Sequence, residues 1–408
     1  MGIYREKERL EKEIQYLNNS SINEENKRLI LEFKSYLIAS GIGLLRTIRY
    51  MTSLRSIAER YNGRVFSDWT KKDVIEALEK IEIQDFSGHT KKEFRKGLKK
   101  FFKWNKGENW EGLEALKGSK RIDRKPDILT KDEILKLIQV TRHPRDKAII
   151  SLLYEGGFRI GELASITFKD IEFNRFGGKV KVRGKTGERL VPFVISESYL
   201  KIWMEMHPNP RDNESLFVGI GYKSYGGPLS YEMYNLILKK ALKRAGITKK
   251  ISPHSLRHSR ATHLASTLTE SEMCHYLGWQ MGSDMPRIYV HLSGRDIDKA
   301  IYSKVYGLDT GEQKEEAIKP VSCPRCKENC GPASEYCYRC GMPLKEEKIL
   351  NIEKIGQEVR DNFFQFAQEN PSMLEDMKMF MDMSEFLKKN HNLKADFFKM
   401  ATKGNNIK

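Results

Sequence analysis

The sequence predicts a mainly helical protein with a small β-sheet, an α+β domain accompanied by helical and metal-binding modules. Three observations carry that expectation. Apolar residues recur at helical spacing through most of the first 106 positions and again from Ser230 to Tyr306. Period-two alternation is confined to short runs between Ile166 and Ile195. At 408 residues the chain is more than twice the ~150 that usually make one domain, so several modules are expected.

Residues 3 to about 106 read as four or five amphipathic helices. Leu29, Ile30, Phe33 and Leu37 share one face, which Ser40-Gly41 ends; Leu44 to Tyr61 repeats the pattern before Asn62-Gly63, and Thr70 caps a helix beginning at Lys71. The last helix, Lys91 to Lys106, holds eight basic residues and one acidic. Lys92, Lys96, Lys99, Lys103 and Lys106 recur every three or four positions, opposite Phe94, Leu98, Phe101 and Phe102. Such a helix buries an aromatic stripe while presenting ammonium groups to a phosphate backbone, so these five lysines are candidate DNA contacts.

A helical domain is therefore expected over 1–109, followed by a Gly-, Lys- and Arg-rich linker over 110–126. A second domain, 127–310, opens at Thr130 with a cap and acids in the first helical turn. Helices run through Tyr154 until Gly156-Gly157 break the chain just ahead of Arg159. Ile166 to Phe173 and Lys179 to Arg183 alternate as strands. Gly184-Lys185-Thr186-Gly187 is turn chemistry before Arg189 to Ile195 resumes, giving a hairpin with Lys185 at its bend. Gly178 ahead of Gly184-Lys185-Thr186 imitates a nucleotide-binding P-loop, but the spacing is off by one residue and the intervening positions alternate as a strand. No nucleotide cofactor is expected.

Net charge is +17, and residues 345–408 hold eleven basic and eleven acidic side chains, so the whole excess lies in the first 344 residues. A polyanion partner is expected there. No apolar run approaches the ~18 residues a spanning helix needs, and the start, Met1-Gly-Ile-Tyr-Arg-Glu, has no apolar targeting segment. A soluble, cytoplasmic protein without membrane contact is the expectation.

Five of the six cysteines fall between Cys323 and Cys340. Cys323-Pro-Arg-Cys326 and Cys337-Tyr-Arg-Cys340 are two C-x-x-C knuckles, each able to turn two thiolates onto one tetrahedral ion, so a structural zinc site is expected in a module over 311–344. Cys330 is left over, either as a free thiol or as a substitute for one of the knuckle ligands. The tail, 345–408, reads as two amphipathic helices split at Asn370-Pro371, with a methionine stripe suited either to self-association or to ordinary hairpin packing.

The remaining polar residues at punctuation points are Arg159 in Gly157-Phe-Arg-Ile-Gly-Glu-Leu163, Lys185 at the hairpin bend, His254-Ser-Leu-Arg257, Trp279 after Leu277-Gly278, and Tyr289. In this order they resemble the tyrosine recombinase family of integrases and resolvases, in detail from about Thr130 to Tyr306. Ten positions separate Trp279 from Tyr289, one more than in most bacterial and phage members, and the run around Tyr289 looks like that of the archaeal integrase subgroup.

The resemblance implies a helical, SAM-like core-binding domain that clamps double-stranded DNA, a catalytic domain, and a homotetramer on DNA that can be a monomer in solution. It also implies a covalent 3′-phosphotyrosine at Tyr289, formed without ATP or an active-site metal. Two guanidiniums, Arg159 and Arg257, suit the non-bridging oxygens; His254 suits proton removal, Trp279 packing and donation, and Lys185 protonation of the leaving oxygen. His258, His263, His275 and His291 are read as core or surface residues, with His291 the one to check. The rival readings are a type IB topoisomerase, which shares this chemistry, and a non-catalytic DNA-binding regulator retaining the fold.

Overall fold

The apolar periodicity of the first quarter becomes five helices: α1 (Glu6–Asn18), α2 (Glu24–Ala39), α3 (Leu44–Arg60), α4 (Lys71–Ile83) and α5 (Gly88–Lys106). Their starts are set by side chains that satisfy otherwise unpaired amides. Asp73 accepts from the Thr70 backbone N–H at 2.8 Å, and Ser87 accepts from the Thr90 N–H at 3.2 Å, so α5 begins one turn earlier than its charge pattern suggests. The shared core collects Phe33, Met51, Leu54, Phe66, Leu98, Phe101 and Phe102. Phe33 meets Phe101 edge-on at 5.3 Å. Leu113 and Leu116 are buried in the same core and Trp110 lies 4.6 Å from Phe102, so the stretch expected to be linker packs with the helices as far as 117.

This structure, a computed structural model, describes residues 3–60, 64–117, 127–184, 187–292, 301–302, 305–307, 317–370, 375, 378–379 and 382. The chain forms two compact units, Met1–Lys319 and Pro320–Lys408. No helix among the described residues is long and apolar enough to cross a membrane.

The second half of the first unit continues with α6 (Lys131–Val140), α7 (Pro144–Glu155) and α8 (Ile160–Ala164). As the sequence suggests, Thr130 and Glu133 cap α6 reciprocally. The sheet is β1 (Ile171–Asn174), β2 (Gly177–Gly184) and β3 (Gly187–Phe193), antiparallel in chain order. Val180 opposes Val191 on the buried face, while Gly184 opposes Gly187 and brackets the bend. Lys185 and Thr186 themselves lie outside the described residues. The strand expected from Ile166 is shorter: Asp170 accepts from the Thr167 N–H and hydroxyl at 2.9 and 2.6 Å, curling Phe168–Asp170 into a 3₁₀ turn before β1 begins.

Four helices follow: α9 (Glu197–Glu205), α10 (Tyr231–Ala245), α11 (Pro253–Ala265) and α12 (Glu270–Leu277), and then α13 (Met285–Leu292). The second unit holds the two-stranded pair β4 (Val321–Ser322) and β5 (Asn329–Cys330), and α14 (Glu346–Glu369). The second tail helix expected from Ser372 falls almost wholly outside the described residues.

One carboxylate joins several of these elements. Glu155, buried at the end of α7, accepts from the backbone N–H groups of Val194, Ile195 and Ser196 at 2.7–2.8 Å and from the Ser196 hydroxyl at 2.7 Å. Its own backbone carbonyl accepts from Arg260 of α11 and from the Tyr276 hydroxyl of α12, both at 2.8 Å. Removing the carboxylate strands buried donors, each costing about 1–3 kcal/mol. Glu155→Ala is therefore expected to lower stability by about 3 kcal/mol or more in urea unfolding, with Glu155→Gln retaining part of it.

Candidate active site

Arg159 sits where α7 ends and α8 begins. Gly157 bridges the two with φ of 57°, and a Cβ there would stand 2.6 Å from the Leu277 side chain, so conformation and space both call for glycine. From this N-cap position the Arg159 guanidinium donates to Glu162 at 2.7 Å and to the Gly278 carbonyl at 3.3 Å. Gly278, at φ 62°, ends α12 in the left-handed region and turns its last carbonyls toward the site. Arg257, on α11, donates to the neighbouring Leu277 carbonyl at 2.6 Å and to the Gly157 carbonyl at 2.7 Å. Two arginines far apart in sequence thus converge on two consecutive carbonyls.

Their electrostatics differ. Arg257 is 2% exposed, and burial, then the charge of Arg159, pulls its guanidinium down to about 10, still charged near neutrality. Its two hydrogen bonds go to neutral carbonyls, leaving most of its five N–H donors for another acceptor. The Arg159 side chain is 37% exposed and forms the open edge. Glu162 is shared between Arg159 and the buried Arg189, which donates to it at 3.2 and 2.9 Å and to the Tyr276 carbonyl at 3.0 Å. Burial alone would raise the Glu162 carboxyl, but Arg189 and then Arg159 outweigh it and hold the group below its usual 4.5. One carboxylate against three guanidiniums leaves an excess of positive charge that suits a phosphoryl group.

Beside this pair, α13 brings in Tyr289, 2% exposed. One face of its ring stacks on Trp279 at 5.2 Å and 13°, and the ring of His258 lies 5.7 Å away at 28°. The phenolic oxygen is hydrogen-bonded to His258 Nδ1. Burial pushes the Tyr289 phenol up to about 12, while burial, His254 and Arg257 together push His258 down to about 4. The phenol therefore keeps its proton and the imidazole is neutral, and which of the two donates in the contact is set by the imidazole tautomer. His254 stands edge-on to His258 at 4.4 Å, with its own imidazole lowered by burial and by Arg257 and Arg159. It is exposed at its rim.

Of the six residues expected at the site, Arg159, His254, Arg257, Trp279 and Tyr289 are brought together, and Lys185 lies outside the described residues although its hairpin is anchored beside them through Arg189. His258, expected to be a core or surface residue, touches the phenol instead of His254; the i, i+4 spacing from His254 was the available signal. Arg189 was also missed. It alternates with the buried Val191 and Phe193, and an arginine at an inward strand position marks a buried ion pair. His263 binds the Tyr154 hydroxyl at 2.9 Å and His275 is exposed; the side chain of His291 lies outside the description.

The five α5 lysines occupy one half-exposed face, but not all are equally free. Lys96 pairs with Glu93 at 2.8 Å and Lys103 with Glu108 at 3.3 Å, and Lys106 donates to the Trp69 carbonyl at 2.6 Å over the Trp110 ring. Lys92 and Lys99 have no ion pair among the described residues.

In the second unit, the sulfurs of Cys323, Cys326, Cys337 and Cys340 all lie within 4.8 Å of one another. Cys323 approaches Cys340, and Cys326 approaches Cys337, both at 3.6 Å. A tetrahedral zinc with Zn–S bonds of ~2.3 Å places its sulfurs roughly 3.8 Å apart, so this donor set fits such an ion. Cys330 is buried beside them on β5, 3.8 Å from the Glu328 carbonyl, and packs as a core residue.

The Glu162 arrangement has a pH signature. A carboxyl lowered in the folded state contributes stability above its unfolded value near 4.5 and loses it as pH falls through the folded value. Glu162→Gln should lose about 3 kcal/mol at pH 7, because Arg189 stays buried without its counter-charge. The gap to the parent protein should narrow at acidic pH, as read by denaturant midpoints across pH 2 to 7.

Known proteins supply an independent comparison. Residues 127–295 match the model of the phage integrase family. The chain is 32% identical over 256 residues to a tyrosine recombinase of Thermosipho africanus, covering 59% of this chain and 87% of that one. It is 30% identical over 276 residues to tyrosine recombinase XerA of Pyrococcus furiosus, covering 66% and 91%. A lambda integrase tetramer bound to a Holliday junction shares the fold with a TM-score of 0.52 at 19% identity, over 64% of this chain and 80% of that one. Because relatives at this level of identity are matched over nearly their whole length, and the matched region contains the converging arginines and the stacked tyrosine, the chain belongs to the tyrosine recombinase family.

Proposed function

We propose that this protein is a site-specific DNA recombinase that cuts and rejoins strands through a covalent 3′-phosphotyrosine on Tyr289. The observation that carries the reading is the convergence of Arg159 and Arg257 on the Leu277 and Gly278 carbonyls beside a buried phenol. Fixed guanidinium donors stabilise charge that builds on the non-bridging oxygens of a phosphodiester under attack, and a planar fork binds two oxygens where an ammonium binds one. The scissile phosphate enters over the exposed Arg159 and accepts from the donors that the buried Arg257 leaves unused. Attack by the Tyr289 oxygen forms the phosphotyrosyl bond as the bond to the 5′-oxygen breaks. Lys185, at the hairpin bend, protonates that leaving oxygen. Because the phosphotyrosine conserves the energy of the broken bond, rejoining by a 5′-hydroxyl needs no nucleotide.

DNA contacts outside the site fall to α5, with Lys92 and Lys99 the ammonium groups least engaged within the chain and Lys96, Lys103 and Lys106 flanking them. Exchange between two duplexes requires four cleavages, so the working assembly is a homotetramer on DNA, the state recorded for lambda integrase on a Holliday junction. Zinc held by Cys323, Cys326, Cys337 and Cys340 supplies structure, since four thiolates leave no open coordination position. A module this small owes its fold to the ion.

A nicked suicide duplex tests the central step. The parent protein is expected to give a denaturant-resistant protein–DNA adduct that disappears in Tyr289→Phe; an adduct surviving that change would place the nucleophile elsewhere. Arg257→Ala should keep most DNA affinity in gel-shift titration while losing adduct formation by at least ~10²-fold, the order expected when a charge-stabilising donor is removed. For the cysteine module, metal analysis should return one zinc per chain, lost in Cys326→Ser together with protease resistance of the region after residue 319.

A further inference from the structure

Resting on the recombinase reading above, the structure assigns a further catalytic residue: we propose that His258 is the immediate proton acceptor for Tyr289. Tyr289 is buried in an apolar cluster with Ala261, Ala265, Met273, Cys274, Leu277 and Trp279, side chains that do not take a proton from a phenol at neutral pH. Among the described residues its one hydrogen-bond partner is His258 Nδ1. The two rings lie near-parallel at 5.7 Å, and Trp279 stacks on the phenol at 5.2 Å, so packing holds the ring with its oxygen at the imidazole. His254 occupies the position one turn earlier on α11, edge-on to His258 at 4.4 Å and exposed at its rim, with no recorded bond to the phenol. That places it behind His258, as the next group toward solvent.

The step balances without a further reactant. As the bond from the Tyr289 oxygen to phosphorus forms and the bond from phosphorus to the 5′-oxygen breaks, the phenolic proton passes to His258 Nδ1 and the leaving oxygen receives a proton from its own acid. In rejoining, the imidazolium returns the proton to the departing Tyr289 oxygen.

The test uses the full chain and a nicked suicide duplex. His258→Ala and His258→Gln are expected to slow adduct formation on the order of 10²-fold or more, as removal of a general base does. The deficit should persist when the 5′-bridging oxygen is replaced by sulfur, whose thiolate leaves without a proton. It should shrink at least tenfold when Tyr289 is replaced by 3,5-difluorotyrosine, a more acidic phenol that depends less on a base. A variant within threefold of the parent, a deficit rescued by the sulfur substrate, or one untouched by the acidic phenol would overturn the proposal, and the last outcome would reduce His258 to a packing role. A measurement independent of these variants is the ¹⁵N spectrum of the histidines: the His258 Nδ1 signal should be that of a hydrogen-bond acceptor and should shift in Tyr289→Phe, whereas no change would count against the contact. If the parent protein forms no adduct, the recombinase reading itself fails; if it does and only the His258 variants behave as the parent, this inference alone falls.

Discussion

The candidate site depends on the hydrogen bonds of one buried guanidinium. Arg257 ties the carbonyl of Gly157 to that of Leu277, joining the exit of α7 to the end of α12, segments more than a hundred residues apart in sequence. Neither carbonyl carries a formal charge, so the bonds position Arg257 without neutralising it. A carboxylate in the same place would have held the side chain as firmly and cancelled the charge an incoming phosphate needs. The negative charge is displaced to Glu162, which engages Arg159 and Arg189 and leaves Arg257 without a direct ion pair among the described residues. Geometry is thus fixed by backbone dipoles, and Arg257 keeps its charge unneutralised.

Arg189 extends this arrangement to the hairpin. It lies two residues beyond Gly187, reaches both Glu162 and the Tyr276 carbonyl, and is itself buried. Gly278 makes room for it, since a Cβ there would stand 2.6 Å from the Arg189 guanidinium. The bend end of the hairpin is consequently tied to α8 and α12.

Much of this architecture was legible in the sequence because it rests on local signals. Gly156-Gly157 ahead of Arg159, the Thr130 cap, and the two runs of alternating residues around Gly184 and Gly187 each specify backbone geometry within a few residues. What escaped is what depends on distant partners. The strand expected from Ile166 gave way to a turn because Asp170 competes for the Thr167 donors. Trp110, Leu113 and Leu116 have no helical period, yet they fill a gap in the aromatic core. His258 shows the same limit at the site: chain order places it beside Arg257, and only the folding of α13 against α11 reveals that it, rather than His254, meets the phenol.

In the proposed reaction, that contact is also what lets an enclosed phenol serve as nucleophile. With burial raising the phenol to about 12 and lowering the imidazole to about 4, the pair stays neutral at rest. An arriving phosphodiester changes the balance on the imidazole side, because a negative group near His258 favours its protonated form and offsets the repulsion from Arg257. Of the two causes that lower the resting imidazole, burial and neighbouring positive charge, the second is the one a bound phosphate offsets. In the proposed recombinase, proton transfer coupled in this way to substrate arrival would confine nucleophile formation to the occupied site.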